Sequence, residues 1–135
     1  MTAVSVVLDA SVLIRSAIDR EPKAREWVRA VEAGEIEGHV PDVAYAETVG
    51  GLAKYVRARL VAPKIAAQIV DDVVLLPLHS HGHARLAAAS LALALEHGLS
   101  AYDASYLALA RSLETTLITA DRRLAAVAPE FELLP

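Results

Sequence analysis

Short continuous apolar runs alternate along this chain with longer segments whose apolar residues recur at helical spacing. Val4 to Leu8 is a β-branched run of the kind that a strand buried on both faces shows. After Asp9-Ala10-Ser11, Val12-Leu13-Ile14 starts a helix. Pro22 suits the first turn of a second helix, which carries Trp27, Val28 and Val31 on one side and ends near Gly34. Ile36 to Val40 predicts a weak strand. Pro41-Asp42 then starts a long helix with Val43, Ala46, Val49, Ala53 and Val56 at apolar spacing. Pro63 begins a short helix with Ile65, Ile69 and Val70, and the apolar run Val73 to Leu78 predicts a second core strand. Helices follow from His83 to Gly98 and from Ser100 to Leu113. Thr116 to Thr119 is a third core strand, Arg122 to Ala128 a short helix and Phe131 to Leu134 a last short strand. This alternation predicts an α/β fold, a three-layer α/β/α domain with a mostly parallel central sheet. No repeat or linker interrupts it, so residues 1–135 read as a single domain.

Composition narrows the class. With 135 residues, 55% of them hydrophobic and 22% charged, the chain can bury a core without staples, and disorder is excluded. It has no cysteine, which removes disulfides, thiolate metal sites and cysteine nucleophiles together and agrees with a reducing cytoplasm. No apolar run reaches the roughly 18–20 residues of a membrane helix. The start, Met1 to Leu8, lacks the basic residues of a signal peptide, so a cytoplasmic location is expected. The net charge of −4, from 17 acids and 13 bases, argues against a protein that coats nucleic acid by charge alone. It leaves room for an enzyme that cuts nucleic acid with metal ions, which needs clustered carboxylates.

Asp9 lies at the carboxyl end of the first strand and Asp121 just past the Thr116–Thr119 strand, where open parallel sheets bind ligands. Asp103 falls in the first turn of its helix. Glu47 lies within a helix beside Gly50-Gly51, where missing side chains permit close backbone approach. Singly, each acid has a structural explanation. Asp9 and Asp121 suit helix caps, Ser100-Ala101-Tyr102-Asp103 matches a capping box, and most glutamates are solvated. Jointly the pattern differs, because alanines, glycines and valines surround Glu47 and suit burial. Four carboxylates converging at one end of a sheet would repel one another unless a cation sat among them. Such a cluster suits Mg²⁺ or Mn²⁺.

Four segments together resemble the PIN domain: Asp9-Ala10-Ser11, Glu47 after Pro41, Tyr102-Asp103-Ala104-Ser105-Tyr106-Leu107-Ala108-Leu109-Ala110, and Thr119-Ala120-Asp121-Arg122-Arg123-Leu124. Within it they are most similar to the VapC toxins of VapBC toxin–antitoxin modules. The resemblance implies a PIN-like fold and a magnesium- or manganese-dependent endoribonuclease, held inactive by a cognate antitoxin. It implies that Asp9, Glu47, Asp103 and Asp121 are the catalytic, metal-holding acids, with Ser11 and Thr119 supporting them by hydrogen bonds. It further implies RNA products with a 5′-phosphate and a 3′-hydroxyl. No histidine or lysine in this set must act as a base, so water activated by the metal is the expected nucleophile.

The remaining 13 acids balance the 13 bases, giving a neutral shell around an acidic pocket. Arg15, Lys54, Arg57, Arg59 and Lys64 are candidates for phosphate contacts, against the ordinary reading of solvated cations. One Trp, four Tyr and one Phe make no base-stacking platform, so no RNA sequence preference is legible. His79-Ser80-His81-Gly82-His83 invites a transition-metal reading. With no carboxylate or cysteine nearby in sequence, an exposed loop opening the next helix is favoured. Ala84 to Leu95 is apolar almost all round, as a central core helix or a subunit interface would be. The family resemblance tips that balance toward a homodimer.

Four alternatives are weighed against this reading. A haloacid-dehalogenase-like phosphatase usually carries a second aspartate two residues after the first, where this chain has Ser11. A receiver domain would want an acceptor aspartate after a central strand, and the Val73–Leu78 run ends in His79; it would also want a lysine after a later strand, where Thr119 is followed by Ala120-Asp121. A non-toxin PIN nuclease is separated from a toxin by the gene next to it. A degenerate binding module would lack an acid, and all four are present.

Overall fold

The computed structural model describes residues 4–128 and 131–135. The expectation for the first residues, 1–3, lies outside them. Five strands, β1 (Ser5–Leu8), β2 (Glu37–Pro41), β3 (His79–His81), β4 (Thr116–Thr119) and β5 (Phe131–Leu133), form one sheet in the order β3-β2-β1-β4-β5. Every pairing is parallel. Seven helices connect them: α1 (Ala10–Ile14), continued by a π-helical turn over Arg15–Asp19, then α2 (Pro22–Glu32), α3 (Val43–Arg57), α4 (Pro63–Leu75), α5 (His83–His97), α6 (Ala101–Leu113) and α7 (Arg122–Val127). The fold is the expected α/β sandwich, and its sheet is wholly parallel.

The central strands are hydrophobic on both faces because helices cover both. Val6, Val7 and Leu8 of β1 and Leu117 and Ile118 of β4 are buried, and α6 packs over β1, β2 and β4 with a continuous buried segment from Ala104 to Ala110. On the other face, Gly38 of β2 has no side chain where Val31 of α2 and Leu78 press in; an added carbon would stand 3.0 Å from each.

Three expectations need correction. The run Val73 to Leu78 is not a strand. Helix α4 continues through it to Leu75, burying Ala66, Ile69 and Val73 at helical spacing and leaving Val74 and Leu75 exposed. Leu76 is extended, as a residue before proline must be, and the strand begins beyond Pro77 at His79. An apolar run of six residues does not by itself separate a strand from the end of a helix. The histidine segment is therefore an edge strand and not a loop. The receiver comparison survives the shift, since β3 ends at His81 and Gly82 follows it. In α3 the buried stripe is Ala44, Thr48 and Leu52, while Ala46 and Val49 face outward.

Among the described residues no helix is long and apolar enough to cross a membrane.

Candidate active site

Strand order reverses between β1 and β4. The next strand in sequence after β1 lies on its other side, so the crevice above the β1 and β4 carboxyl ends is the topological switch point. Asp9 emerges from β1 there. The residue is only 5% exposed, and its carboxylate is engaged by hydroxyls from both strand ends: Ser11 Oγ donates to Oδ2 at 2.8 Å and Thr119 Oγ1 donates to the same oxygen at 2.7 Å. The Ser11 hydroxyl also accepts from Ala120 N–H at 3.1 Å, and Thr119 Oγ1 accepts from Asp121 N–H at 3.0 Å. Two hydroxyls thus lace the β1 turn to the β4 turn through one carboxylate.

Asp121 divides its duties. Oδ1 caps α7 by accepting from Arg123 N–H at 2.9 Å and Leu124 N–H at 3.2 Å. Ser100 caps α6, its hydroxyl accepting from Asp103 N–H at 3.1 Å, which orients the first turn and places Asp103 near Asp9 and Asp121. Glu47 arrives from α3. Gly51, one turn further along that helix, lets α3 lie against α1, because a side-chain carbon there would strike Ile14 Cδ1. Gly50 faces open space and has no such role.

The electrostatics follow from this gathering. Burial pushes the Asp9 carboxyl above its ordinary range against the two hydroxyl hydrogen bonds, and Asp121 raises it further. Glu47 is pushed up to about 7 by burial first and then by the charges of Asp9 and Asp103, with a hydrogen bond from Tyr106 opposing. Asp103 is raised by burial and by Asp121 and Asp9, against Ser100 and the nearby Arg123. Asp9, Glu47, Asp103 and Asp121 therefore share one field. They keep their distance: among the described residues the one trio of histidine or carboxylate donors within 4.8 Å of one another is Glu37, His39 and His79, outside this crevice.

Tyr106 is the residue that sequence reasoning missed. It is fully buried, accepts from Ala10 N–H at 3.3 Å and donates to Glu47. The signal was its position three residues after Asp103, on the same face of α6. Arg123 also reaches the rim, where its guanidinium donates to the Gly98 carbonyl at 2.6 Å. Of the phosphate-contact candidates, Arg15 is occupied by the Pro135 carbonyl at 2.7 Å, whereas Lys54, Arg57, Arg59 and Lys64 are exposed. A cleft of about 450 Å³ lies elsewhere, between α1, α2 and α4, and is lined by apolar residues such as Leu13, Ile69 and Val73. The acids decide the chemistry, so the switch-point crevice is the candidate site.

A divalent cation fits this donor set. Glu47 Oε1 is buried with no hydrogen-bond partner, an orphaned acceptor facing two further carboxylates. All four donors are hard oxygens.

Known proteins share both the sequence pattern and the fold. The PIN domain family matches residues 6–129. Ribonuclease VapC3 of Pyrobaculum aerophilum is 32% identical over 126 residues, covering 92% of this chain and 95% of that one. The crystal structure of PAE2754, also from Pyrobaculum aerophilum, superposes with a TM-score of 0.76 at 27% identity, covering 97% of this chain and 91% of that one. VapBC2 from Rickettsia felis, solved bound to a DNA fragment from its promoter, gives a TM-score of 0.71 at 15% identity, with coverage of 97% and 99%. A switch-point crevice lined by acids, on a parallel five-stranded sheet matched over nearly its whole length, agrees with that family match: the chain belongs to the PIN-domain family and is similar to a VapC ribonuclease.

Proposed function

We propose that the protein is an Mg²⁺- or Mn²⁺-dependent endoribonuclease acting as the toxin of a toxin–antitoxin pair, with Asp9, Glu47, Asp103 and Asp121 holding the metal. The observation that carries this reading is the half-buried Glu47, its Oε1 without a hydrogen-bond partner, beside Asp9 and Asp103, each of the three with its pKa raised. Carboxylates so placed are poised to exchange protons for a cation. When bound, a divalent ion supplies charge neutralisation and Lewis-acid activation of water and phosphate.

The chain's own residues do the positioning. Ser11 and Thr119 favour the ionised form of Asp9, and Tyr106 does the same for Glu47. Arg123 at the rim, and Lys54 seven residues along α3 from Glu47, offer cations to an RNA backbone. The name of the VapC3 relative supports RNA as the substrate. A partner antitoxin would cover the acidic mouth with a basic side chain, since a desolvated carboxylate cluster attracts arginine. Incubation of purified protein with RNA tests the reading. Cleavage with Mg²⁺ or Mn²⁺ that stops in excess chelator supports it, and undiminished cleavage in chelator overturns the metal-dependent mechanism.

The oligomer is a homodimer through α5. That helix buries Leu86, Ser90 and Leu93 and leaves Ala88, Leu91 and Leu95 exposed, the two leucines at 63% and 78%, an apolar face suited to a two-fold mate.

A further inference from the structure

Glu37, His39, His79 and His81 stand at alternate positions of two neighbouring parallel strands, so all four side chains project from one face of the sheet. Register sets His39 beside His79 and Pro41 beside His81. The imidazoles of His39 and His79 stack with centroids 4.7 Å apart and planes 21° apart. His39 Nδ1 lies 2.9 Å from His81 Nε2, and His39 Nε2 lies 3.3 Å from Glu37 Oε1. One donor atom each from Glu37, His39 and His79 falls within 4.8 Å of the others. His39 is buried while Glu37 and His79 open to solvent, so the cluster has a floor and an entry path.

A neutral His39 ring has two proton arrangements available to it. In one, His81 Nε2–H donates to His39 Nδ1, and His39 Nε2–H donates to Glu37. In the other, His39 Nδ1–H donates to His81, and the bare Nε2 lone pair faces a carboxylate oxygen. Two acceptors 3.3 Å apart then require a cation between them. The second arrangement is how metal-binding histidines are held, with the far ring N–H engaged by a neighbour.

We propose that Glu37, His39 and His79 form a second metal site, for a borderline transition-metal ion of the Zn²⁺ class, with His81 fixing the His39 tautomer. Two imidazoles and one carboxylate suit Zn²⁺ and not Mg²⁺, which demands oxygen. Zn²⁺ bonds of about 2.0–2.1 Å set tetrahedral donors about 3.3–3.4 Å apart, a spacing that Glu37 and His39 already have. His79, exposed on the edge strand, has the freedom to close the third position. The ion would cross-link the three-residue strand β3 to β2. It is separate from the carboxylate crevice, which stands at the ends of β1 and β4.

The test is titration calorimetry with Zn²⁺ alone in a background of excess Mg²⁺, together with zinc X-ray absorption of the loaded protein. Wild type is expected to bind one Zn²⁺ with imidazole scattering in its spectrum and to melt at a higher temperature when loaded. His79→Ala removes an exposed ligand and should weaken that site at least tenfold, while His81→Ala should weaken it about 10- to 100-fold through the lost tautomer control. Circular dichroism checks that both variants fold. Equal isotherms for wild type and His79→Ala, no binding at micromolar Zn²⁺, or a spectrum without imidazole would each overturn the proposal.

Discussion

The hydroxyl of Tyr106, buried in α6, hydrogen-bonds Glu47 of α3 while accepting from the backbone N–H of Ala10 at the start of α1. One side chain thereby ties together three helices that meet at the candidate site. Tyr106→Phe leaves the Ala10 N–H without its acceptor and Glu47 without its donor. The expected cost in stability is about 1–3 kcal/mol. Losing the bond that lowers the Glu47 pKa should also weaken Mg²⁺ binding, on the order of 10-fold. Paired measurements of thermal melting and Mg²⁺ titration check both, and unchanged Mg²⁺ affinity would remove Tyr106 from the site.

Asp9→Asn and Asp103→Asn should abolish RNA cleavage, at least 100-fold, and leave the fold intact. Both carboxylates are raised in pKa by burial and by their acidic neighbours, so neutralising either relieves repulsion and should raise the melting temperature without metal. Near-normal turnover by a folded variant would refute the assignment of that residue as a ligand.

Thr119→Val keeps shape and removes a hydroxyl that donates to Asp9 and accepts from Asp121 N–H. The expected loss is about 10- to 100-fold in metal affinity, as for other residues that orient ligands. Thr119→Ser should restore most of it, which a purely packing role for the threonine would not explain.

Sequence alone revealed the acids at strand ends, because a parallel sheet concentrates function at its carboxyl edge wherever the strands fall. The family resemblance also singled out Ser11 and Thr119, whose short polar side chains sit within two residues of an aspartate. Periodicity failed where two elements read alike. Val73 to Leu78 is continuous and apolar, yet its first part is helix because Ile69 and Val73 complete a stripe begun at Ala66. The histidine run was equally ambiguous, since its carboxylate neighbour, Glu37, is distant in sequence and joins it only through strand pairing. Tyr106 stayed hidden for the same reason: its partner Glu47 lies on another helix. Contacts across elements are written in no local spacing.

The exposed face of α5 predicts the behaviour of a charged substitution. Leu91→Glu on that face should yield a folded monomer by light scattering, because isologous contact would set the two glutamates near each other across the dyad. Wild-type protein that is already monomeric at high concentration would refute the interface.

Glu47 gives stability a pH dependence with a definite sign. Its pKa is about 7 in the fold, against about 4.3 for an unfolded glutamate. Between those values the folded state holds the extra proton. The contribution is therefore fully present below about 4.3 and is lost as pH rises through 7. Asp9 and Asp103, both raised, act in the same direction. Without metal, Glu47→Gln should thus be more stable than wild type at pH 8, and the advantage should disappear on acidification to about pH 5. Adding Mg²⁺ should reverse the comparison at pH 8, since the cation replaces the proton and Gln offers it no charge. Melting both proteins across pH 5–8, in chelator and then in Mg²⁺, reads the two effects separately. A difference that does not vary with pH in chelator would show that Glu47 titrates as an ordinary solvated glutamate.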